Sequence, residues 1–281
     1  MGTEDDFLLG PELSPDGQRA VVSRTVQRNT DVWIFDALRM PRFTFDAGAD
    51  EYPHWSADGK HIIYRGTRSQ FREFFKKESS GAEAEETLYK ASGNEAVNDW
   101  SPDGRFLLYV NVEPKTSSNL WVLPLDGKQP PFAFVNGPFT ERNGQFSPNG
   151  RWIAYQSDES GNPEIHVRPF PKAGGQWQIS TSGGVAPRWR ADGKELFYVG
   201  PNGTLMAVPV TTSGPALETG TPTSLFRPRI LFGGSSPVGT QWQYDVAPDG
   251  RFLINVTTEG ADTAPIEMIV NWNPDSSRSS R

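Results

Sequence analysis

The chain has 281 residues, and its nine Trp, 17 Phe and seven Tyr provide ample apolar material for a core, which excludes disorder over most of its length. A formal net charge of −7 argues against a nucleic-acid-binding surface, because such a surface needs a basic face. The absence of Cys excludes disulfides and thiolate metal sites.

Apolar stretches in the sequence are short. The run at 106–110 spans five residues, far fewer than the roughly 20 that a bilayer requires, so no membrane segment is expected. The first ten residues, MGTEDDFLLG, are acidic and have no basic or apolar leader pattern, so no signal peptide is expected there. The polar tail at 273–281 is predicted to be disordered.

A four-residue turn sequence occurs six times. It reads Ser-Pro-Asp-Gly at 14–17 and 101–104, and related tetrads start at 56, 147, 190 and 247. Ser suits the first position of a type I turn, Pro the second and Asp or Asn the third, while Gly supplies the positive φ that follows. The tetrad therefore predicts a hairpin turn, and its Asp is interpreted as a turn residue rather than a catalytic one.

Short strands are predicted around every tetrad. An apolar residue stands directly before each one: Leu13, Trp55, Trp100, Phe146, Trp189 and Val246. A β-rich run follows each Gly: QRAVVS, KHIIYR, RFLLYV, RWIAYQ, KELFYV and RFLINV. A second run lies downstream, DVWIFD, FREFFKK, NLWVLPL, EIHVRPF, TLMAVPV and IEMIVNW, and most repeats end in a weaker third run, such as RFTFD, TLYKA, FAFV, WQIS and SLFRP.

Four short antiparallel strands in a unit of about 45 residues are typical of a β-propeller, whose closed ring protects the sheet edges. We predict one all-β domain over 1–281, a six-bladed propeller of four-stranded blades, with the apolar residue before each tetrad packed between blades. The predicted blades are 7–48, 49–93, 94–138, 139–182, 183–232 and 233–272. The last repeat lacks a fourth strand, which leaves three alternatives: a three-stranded last blade, a strand from 6–9, or a ring completed by upstream residues, including a seven-bladed ring in a longer parent chain.

The repeated sentence W-S-P-D-G-(K/R)-x-I-x-(F/Y) resembles the TolB-like, or WD40-like, β-propeller repeat. The stretches DWSPDGRFLLYV, NLWVLPLDG and GQFSPNGRWIAYQSDESGNPEIHVRPFP resemble more narrowly the C-terminal propeller of bacterial, notably acidobacterial, serine/threonine protein kinases. That resemblance implies a binding or signal-sensing propeller outside the cytoplasmic membrane, in the periplasm. The kinase motifs G-x-G-x-x-G, H-R-D and D-F-G do not occur, so no phosphotransfer is expected.

Motifs for chemistry are sparse. The three histidines, His54, His61 and His166, are scattered without H-E-x-x-H or comparable ligand spacing. No G-x-S-x-G elbow and no calcium loop is present. We therefore expect no metal, no cofactor and no catalytic residue.

One position is polar in all six repeats, four residues before the Asp or Asn of the tetrad. Equivalent positions of a propeller form a ring around its axis, near one mouth of the channel, where ligands commonly bind. The alternative is that these side chains solvate the channel or bond to neighbouring backbone. The predicted ligand-binding ring is Glu12, His54, Asp99, Gln145, Arg188 and Asp245, and the predicted secondary rim is Glu51, Tyr52, Arg142, Asn143 and Gln243.

The sequence favours a non-enzymatic binding or sensor module that recognises a protein, peptide or small ligand at the channel mouth, and we expect it to be a monomer. The alternative is a propeller-fold lyase or hydrolase that uses Asp99 and Asp245 with Arg188. A third hypothesis, a purely structural spacer, predicts a channel mouth without a pocket.

Overall fold

The computed structural model describes residues 7–36, 38–68, 71–112, 118–172, 174–212, 216–234, 241–256 and 266–269. The predicted tail at 273–281 lies outside the described residues. The strands are β1 (Phe7–Leu13), β2 (Ala20–Val26), β3 (Asn29–Phe35), β4 (Asp50–Trp55), β5 (His61–Arg68), β6 (Phe71–Glu78), β7 (Glu86–Lys90), β8 (Asn94–Trp100), β9 (Phe106–Val112), β10 (Ser118–Pro124), β11 (Phe132–Val135), β12 (Glu141–Phe146), β13 (Trp152–Ser157), β14 (Glu164–Pro169), β15 (Trp177–Gln178), β16 (Val185–Trp189), β17 (Glu195–Val199), β18 (Leu205–Thr211), β19 (Glu218–Thr219), β20 (Thr223–Phe226), β21 (Tyr244–Val246), β22 (Phe252–Asn255) and β23 (Ile266–Ile269). Two 3-10 turns cover Pro201–Gly203 and Leu231–Gly234.

Strands that are adjacent in sequence pair antiparallel, except that β20 pairs with β18 rather than with β19, so the sheets are meanders. The sheets are β1–β3, β4–β7, β8–β11, β12–β15, β16–β20 and β21–β23. The first strands of successive sheets contact one another, β1 with β4, β4 with β8, β8 with β12, β12 with β16 and β16 with β21, and β21 returns to β1. The sheets therefore form a closed ring, and the all-β propeller prediction is confirmed.

The predicted count of six four-stranded blades is wrong, as is the seven-bladed alternative. Five sheets form the propeller blades, those that begin with β1, β4, β8, β12 and β16, and β18 with β19 adds a small sheet to the fifth. The last repeat contributes only three strands of three or four residues, which close the ring without making a full blade. Its described strands are too short and too few to match the pattern on which the count of six relied.

The first blade also departs from four strands. The predicted outer run at 42–46 makes a single bridge, between Trp33 and Arg42, rather than a strand. The described chain from 38 to 49 is otherwise irregular, although Ile34 N still donates to Pro41 O at 3.1 Å and Phe43 N to Val32 O at 2.9 Å. This irregular outer edge borders a cavity of about 490 Å³.

The tetrad forms the predicted turn. At 101–104, Gly104 N donates to Ser101 O at 2.8 Å and Gly104 has a φ of +73°. The Ser101 hydroxyl donates to Asp103 Oδ1 at 2.7 Å, and the same oxygen accepts the Arg105 amide at 3.1 Å. The Asp of the tetrad is thus occupied within its own turn, which is the role predicted for it.

Large side chains fill the gaps between neighbouring blades. Trp55, at the end of β4, is buried in one cluster with Val21, Val32 and Phe43 of the first blade. Phe146 packs likewise against the third blade. These clusters confirm the predicted interblade packing for Trp55 and Phe146, and their apolar burial contributes to the stability of the ring.

Leu108→Ala is expected to lower the free energy of unfolding by about 2–5 kcal/mol, because Leu108 is fully buried between the third and fourth blades. Urea denaturation monitored by tryptophan fluorescence measures the change. Leu38→Ala is the matched control: Leu38 is 94% exposed, so a change within about 0.5 kcal/mol is expected. Equal losses in the two variants would contradict the assigned core.

Candidate functional site

A β-bulge precedes the predicted ring residue in the first strand of all five blades. The register shifts lie between Leu9 and Glu12, Glu51 and His54, Val97 and Asp99, Arg142 and Gln145, and Val185 and Arg188. Gly10, Tyr52, Asn143 and Ala186 have a positive φ two residues before their ring position. A bulge bends its strand and redirects the next side chain, so it accounts for the direction of the ring residues.

Four ring residues bind the backbone of the next unit around the ring. In each case a side-chain oxygen accepts the amide that directly follows the next ring residue. The pairs are Trp55 N to Glu12 Oε1 at 2.8 Å, Phe146 N to Asp99 Oδ2 at 2.7 Å, Trp189 N to Gln145 Oε1 at 2.8 Å, and Leu13 N to Asp245 Oδ2 at 2.7 Å. The last pair joins the sixth repeat to the first.

The other two ring residues are basic and contact acids or carbonyls instead. His54 Nδ1 lies 2.6 Å from Glu12 Oε2, and His54 Nε2 lies 3.2 Å from Val97 O. The Arg188 guanidinium lies 3.4 Å from Asp245 Oδ1 and 4.0 Å from Glu12 Oε2. The ring therefore contains a buried, mixed-charge network.

The Arg188 guanidinium also stacks over the Trp242 ring at 4.4 Å, and His54 meets the same indole edge-on at 6.2 Å. The indole Nε1 of Trp242 donates to Pro187 O at 2.8 Å. Trp242 thus packs against both basic members of the ring and has its one polar atom satisfied.

Burial and charge set the protonation of the ring acids. Burial opposes ionisation of Glu12, but His54 and Arg188 prevail and lower its pKa. Burial, together with the negative charge of Glu12, raises the pKa of Asp99 to about 7. Burial also raises the pKa of Asp245, although Arg188 opposes the shift.

The ring residues divide between two spaces. Glu12, Asp99, Gln145 and Asp245 line a recess of about 330 Å³ at the end of the first strands where the tetrads lie, which we name the tetrad-side mouth. His54 and Arg188 line a cavity of only about 10 Å³, together with Glu12 and Trp242. The structure therefore brings all six together, but four of them reach the mouth.

Most of the wall of the tetrad-side mouth is apolar. It is formed by the residue before each tetrad and by residues inside the tetrads. These are Leu13, Trp55, Trp100, Phe146, Trp189 and Val246, with Pro15, Pro102, Pro148, Pro248, Ala57 and Ala191. The sequence pattern assigned the prolines to turns and the aromatic residues to packing. The signal that these residues share one surface was the repetition of both positions in all six repeats.

The predicted secondary rim lies elsewhere. Glu51, Tyr52, Arg142 and Asn143 belong to the starts of β4 and β12, away from the tetrads, and Gln243 directly precedes β21. The Arg65 guanidinium binds Glu51 and stacks over Tyr52 at 4.5 Å. Asn143 and Gln243 are fully buried. None of the five lines the described wall of the tetrad-side mouth.

The remaining histidines do not form a metal centre. His166 is buried, stacks on Tyr155 at 5.8 Å and has Nδ1 at 2.8 Å from Gln176 Nε2. His61 begins β5, where its amide donates to the Ser56 hydroxyl at 2.9 Å. Across the described ranges, no group of three or more His, Cys, Asp or Glu side chains could hold a metal ion.

Comparison with known proteins shows the fold. No family model matches the chain. An uncharacterized protein of Agrobacterium fabrum is 25% identical over 202 residues, covering 66% of this chain and 68% of that protein. A structure described as a TolB from Agrobacterium tumefaciens has a TM-score of 0.65 at 16% identity and covers 94% of this chain and 91% of its own. An oligogalacturonate lyase in complex with manganese has a TM-score of 0.64 at 12% identity, covering 93% of this chain and 76% of its own.

The structural similarities show a TolB-like β-propeller fold, and at these identities they show the fold alone. The narrower resemblance to kinase-linked propellers receives no support from the comparisons. No helix in the described ranges is both long and apolar enough to span a membrane.

Asp99→Asn is expected to be more stable than the wild type at about pH 8 and to lose less stability between about pH 5 and pH 8. The folded-state pKa of Asp99, about 7, lies above the unfolded value of about 4, so its contribution to stability falls as pH rises through that window. The Asn side chain retains an oxygen for the Phe146 amide. Urea denaturation at a series of pH values measures both effects.

Asp103→Asn is the matched control for this pH dependence. Burial opposes ionisation of Asp103, but hydrogen bonds from Ser101 and Arg105 prevail and lower its pKa. Its contribution is therefore present above the unfolded pKa and is lost as pH falls, so this variant should be less stable at neutral pH. The same pH response in both variants would contradict the assigned environment of Asp99.

Arg188→Met is expected to lower the free energy of unfolding by about 3–5 kcal/mol, because it leaves Glu12 and Asp245 buried without their cation. Thermal and urea denaturation test this expectation. Arg105→Met is the control, since Arg105 is 73% exposed in its ion pair with Asp103 and should contribute less than about 1 kcal/mol. A small loss for Arg188→Met would show that the ring does not depend on its cation.

Proposed function

We propose that the chain is a non-enzymatic binding module that takes a peptide segment of a partner protein into the tetrad-side mouth. The observation that carries this proposal is the wall of the recess, where all six repeats contribute an apolar residue around a floor of polar ring atoms. Apolar pockets with a few convergent polar groups are the usual form of a ligand site. Such a mouth also disfavours the spacer hypothesis.

The aromatic and proline side chains favour a peptide over a strongly polar ligand. Trp55, Trp100 and Trp189 line the recess; Trp100 is half-buried, whereas Trp55 and Trp189 are each only 5% exposed. Rigid aromatic walls bind proline or aromatic side chains at low entropic cost. Trp55 and Trp189 are held in place, since the indole Nε1 of each donates to the carbonyl of Glu12 or Gln145, at 3.2 Å and 3.3 Å. The recess is thus largely formed before a ligand arrives.

The polar floor supports positioning more than catalysis. Glu12, Gln145 and Asp245 each use an oxygen to accept a backbone amide of the next unit, and Arg188 is occupied between two acids. Groups that hold the ring together are poorly placed to change partners during a reaction. This favours binding over turnover.

A hydrolase or lyase remains the second candidate because of one observation. Asp99 reaches the mouth and has a pKa of about 7, a value suited to general acid–base chemistry. A screen of hydrolase and lyase substrates, with and without divalent metal, tests this candidate. Turnover of any substrate by the wild type would contradict binding as the sole function. Loss of that turnover in Asp99→Asn would support an enzymatic role for Asp99.

Selection of phage-displayed random peptides on the wild type, followed by calorimetry with the enriched synthetic peptides, tests the binding module. Ala57→Trp and Ala191→Trp place bulk in the mouth at exposed turn positions without removing core contacts. Each variant should weaken peptide binding by about tenfold or more, because the side chain occupies the recess.

Ala82→Trp is the matched control, since Ala82 is exposed between β6 and β7 and does not line the mouth. It should bind the selected peptides as the wild type does. Enriched peptides that bind both mouth variants with unchanged affinity, or the absence of any enrichment, would refute the proposed site.

A further inference from the structure

A second cavity lies away from the channel, at the irregular outer edge of the first blade. It has a volume of about 490 Å³ and is bounded by the end of β3, the segment that follows it, and the end of β6 in the second blade. Four basic side chains line it, Arg19, Arg39, Arg42 and Lys77, against a single carboxylate, Asp36. This excess of positive charge contrasts with the net charge of −7 of the whole chain.

Two of these cations are already neutralised. Arg42 binds Asp31 at 2.8 Å, and Arg39 lies 3.6 Å from Asp36. Within the described ranges, Arg19 and Lys77 form no ion pair with a carboxylate and lie instead against aromatic faces. The Arg19 guanidinium is 4.8 Å from the centre of the Trp55 ring, and Lys77 Nζ is 4.9 Å from that of Phe43.

Stacking on aromatic rings restrains these two cations without neutralising their charge. Lys77 Nζ also donates to Phe43 O at 3.3 Å, which fixes its position further. A cation that is restrained on a ring face loses little entropy when an anion binds its open side. Arg19 and Lys77 are thus preorganised donors for an anionic group.

Apolar side chains form much of the remaining lining, and Ser79 and Ser80 add two hydroxyl groups. Ile34, Pro41, Phe43 and Phe45 contribute to the wall, and Phe45 is 71% exposed although Arg42 stacks over it at 5.2 Å. An exposed aromatic beside unpaired cations suits a ligand that carries both a ring and a negative charge.

We propose that this cavity binds a small organic phosphate, with the phosphate group held by Arg19 and Lys77 and an apolar ring placed against Pro41 and Phe45. A phosphate monoester carries nearly two negative charges at neutral pH and accepts several hydrogen bonds, so it matches two unpaired cations better than a monoanion does. The site is separate from the tetrad-side mouth and does not depend on the function proposed for it.

Calorimetry with phenyl phosphate tests the site, with phenol and inorganic phosphate as the two halves of the probe. The wild type should bind phenyl phosphate more tightly than inorganic phosphate and should not bind phenol measurably. Arg19→Gln and Lys77→Gln should each weaken phenyl phosphate binding by about tenfold, the loss of one charge-assisted hydrogen bond. Lys128→Gln, at an exposed turn after β10, should leave the affinity unchanged.

Pro41→Glu provides a second route that keeps both cations and adds a carboxylate at the exposed edge of the cavity. It should also abolish phenyl phosphate binding, and a thermal melt of each variant shows that the fold is retained. Ala57→Trp, which blocks the mouth, should bind phenyl phosphate normally, so failure of one site is distinguishable from failure of the other. The proposal is overturned if the wild type does not bind phenyl phosphate, if phenol binds equally well, or if the Arg19→Gln/Lys77→Gln double variant retains its affinity.

Discussion

The hydrogen bond from one ring side chain to the backbone of the next unit is the interaction on which the propeller depends. Each first strand must present its polar backbone to the axis, where solvent is scarce, and buried amides need partners. Glu12, Asp99, Gln145 and Asp245 supply those partners across successive interfaces, and Asp245 does so where the chain's end meets its beginning. The bulge before each of these positions in the five blades turns the side chain toward its neighbour. The β-bulges of the first strands therefore position the side chains whose hydrogen bonds join the units of the ring.

Two basic residues interrupt this pattern, and their presence explains the electrostatics of the axis. The Arg188 guanidinium has no acceptor atom, and both His54 and Arg188 contact acids of other units rather than a backbone amide. Arg188 lies between Glu12 and Asp245, which allows two carboxylates to be buried close together. Burial and the negative charge of Glu12 raise the pKa of Asp99, and the opposing effect of His54 and Arg188 is too small to cancel the shift.

The sequence was sufficient for the features that repeat. The tetrad turns, the strands after each Gly and the position of the polar ring followed from the period, because local turn chemistry and strand propensity are short-range. The blade count was not predictable in the same way. The outer run at 42–46 has strand-like composition yet forms only one bridge, and the last repeat closes the ring with three short strands. Both outcomes depend on packing between distant segments rather than on local pattern.

The backbone conformations of the first strands and the residues that line the second cavity were also not predictable from the sequence. Gly10 and Asn143 are residue types that adopt a positive φ readily, but Tyr52 and Ala186 adopt it only because the surrounding strands impose it. The cations of the outer cavity gave no sequence signal, since Arg19 and Lys77 belong to different blades. Only the fold brings Arg19 and Lys77 into the lining of the same cavity.

Trp55 links the two proposed sites and also explains why they can act separately. One part of its indole lines the tetrad-side mouth, while Arg19 of the outer cavity stacks on its face. Its backbone amide binds Glu12 Oε1 and its indole Nε1 binds Glu12 O, so Glu12 fixes the residue at both its backbone and its ring. The indole is held by its Nε1 hydrogen bond and by the stacked Arg19, so a ligand in the mouth cannot rotate the ring without breaking these two contacts. The mouth and the cavity lined by Arg19 have no lining residue in common, so a ligand in one does not displace a ligand in the other.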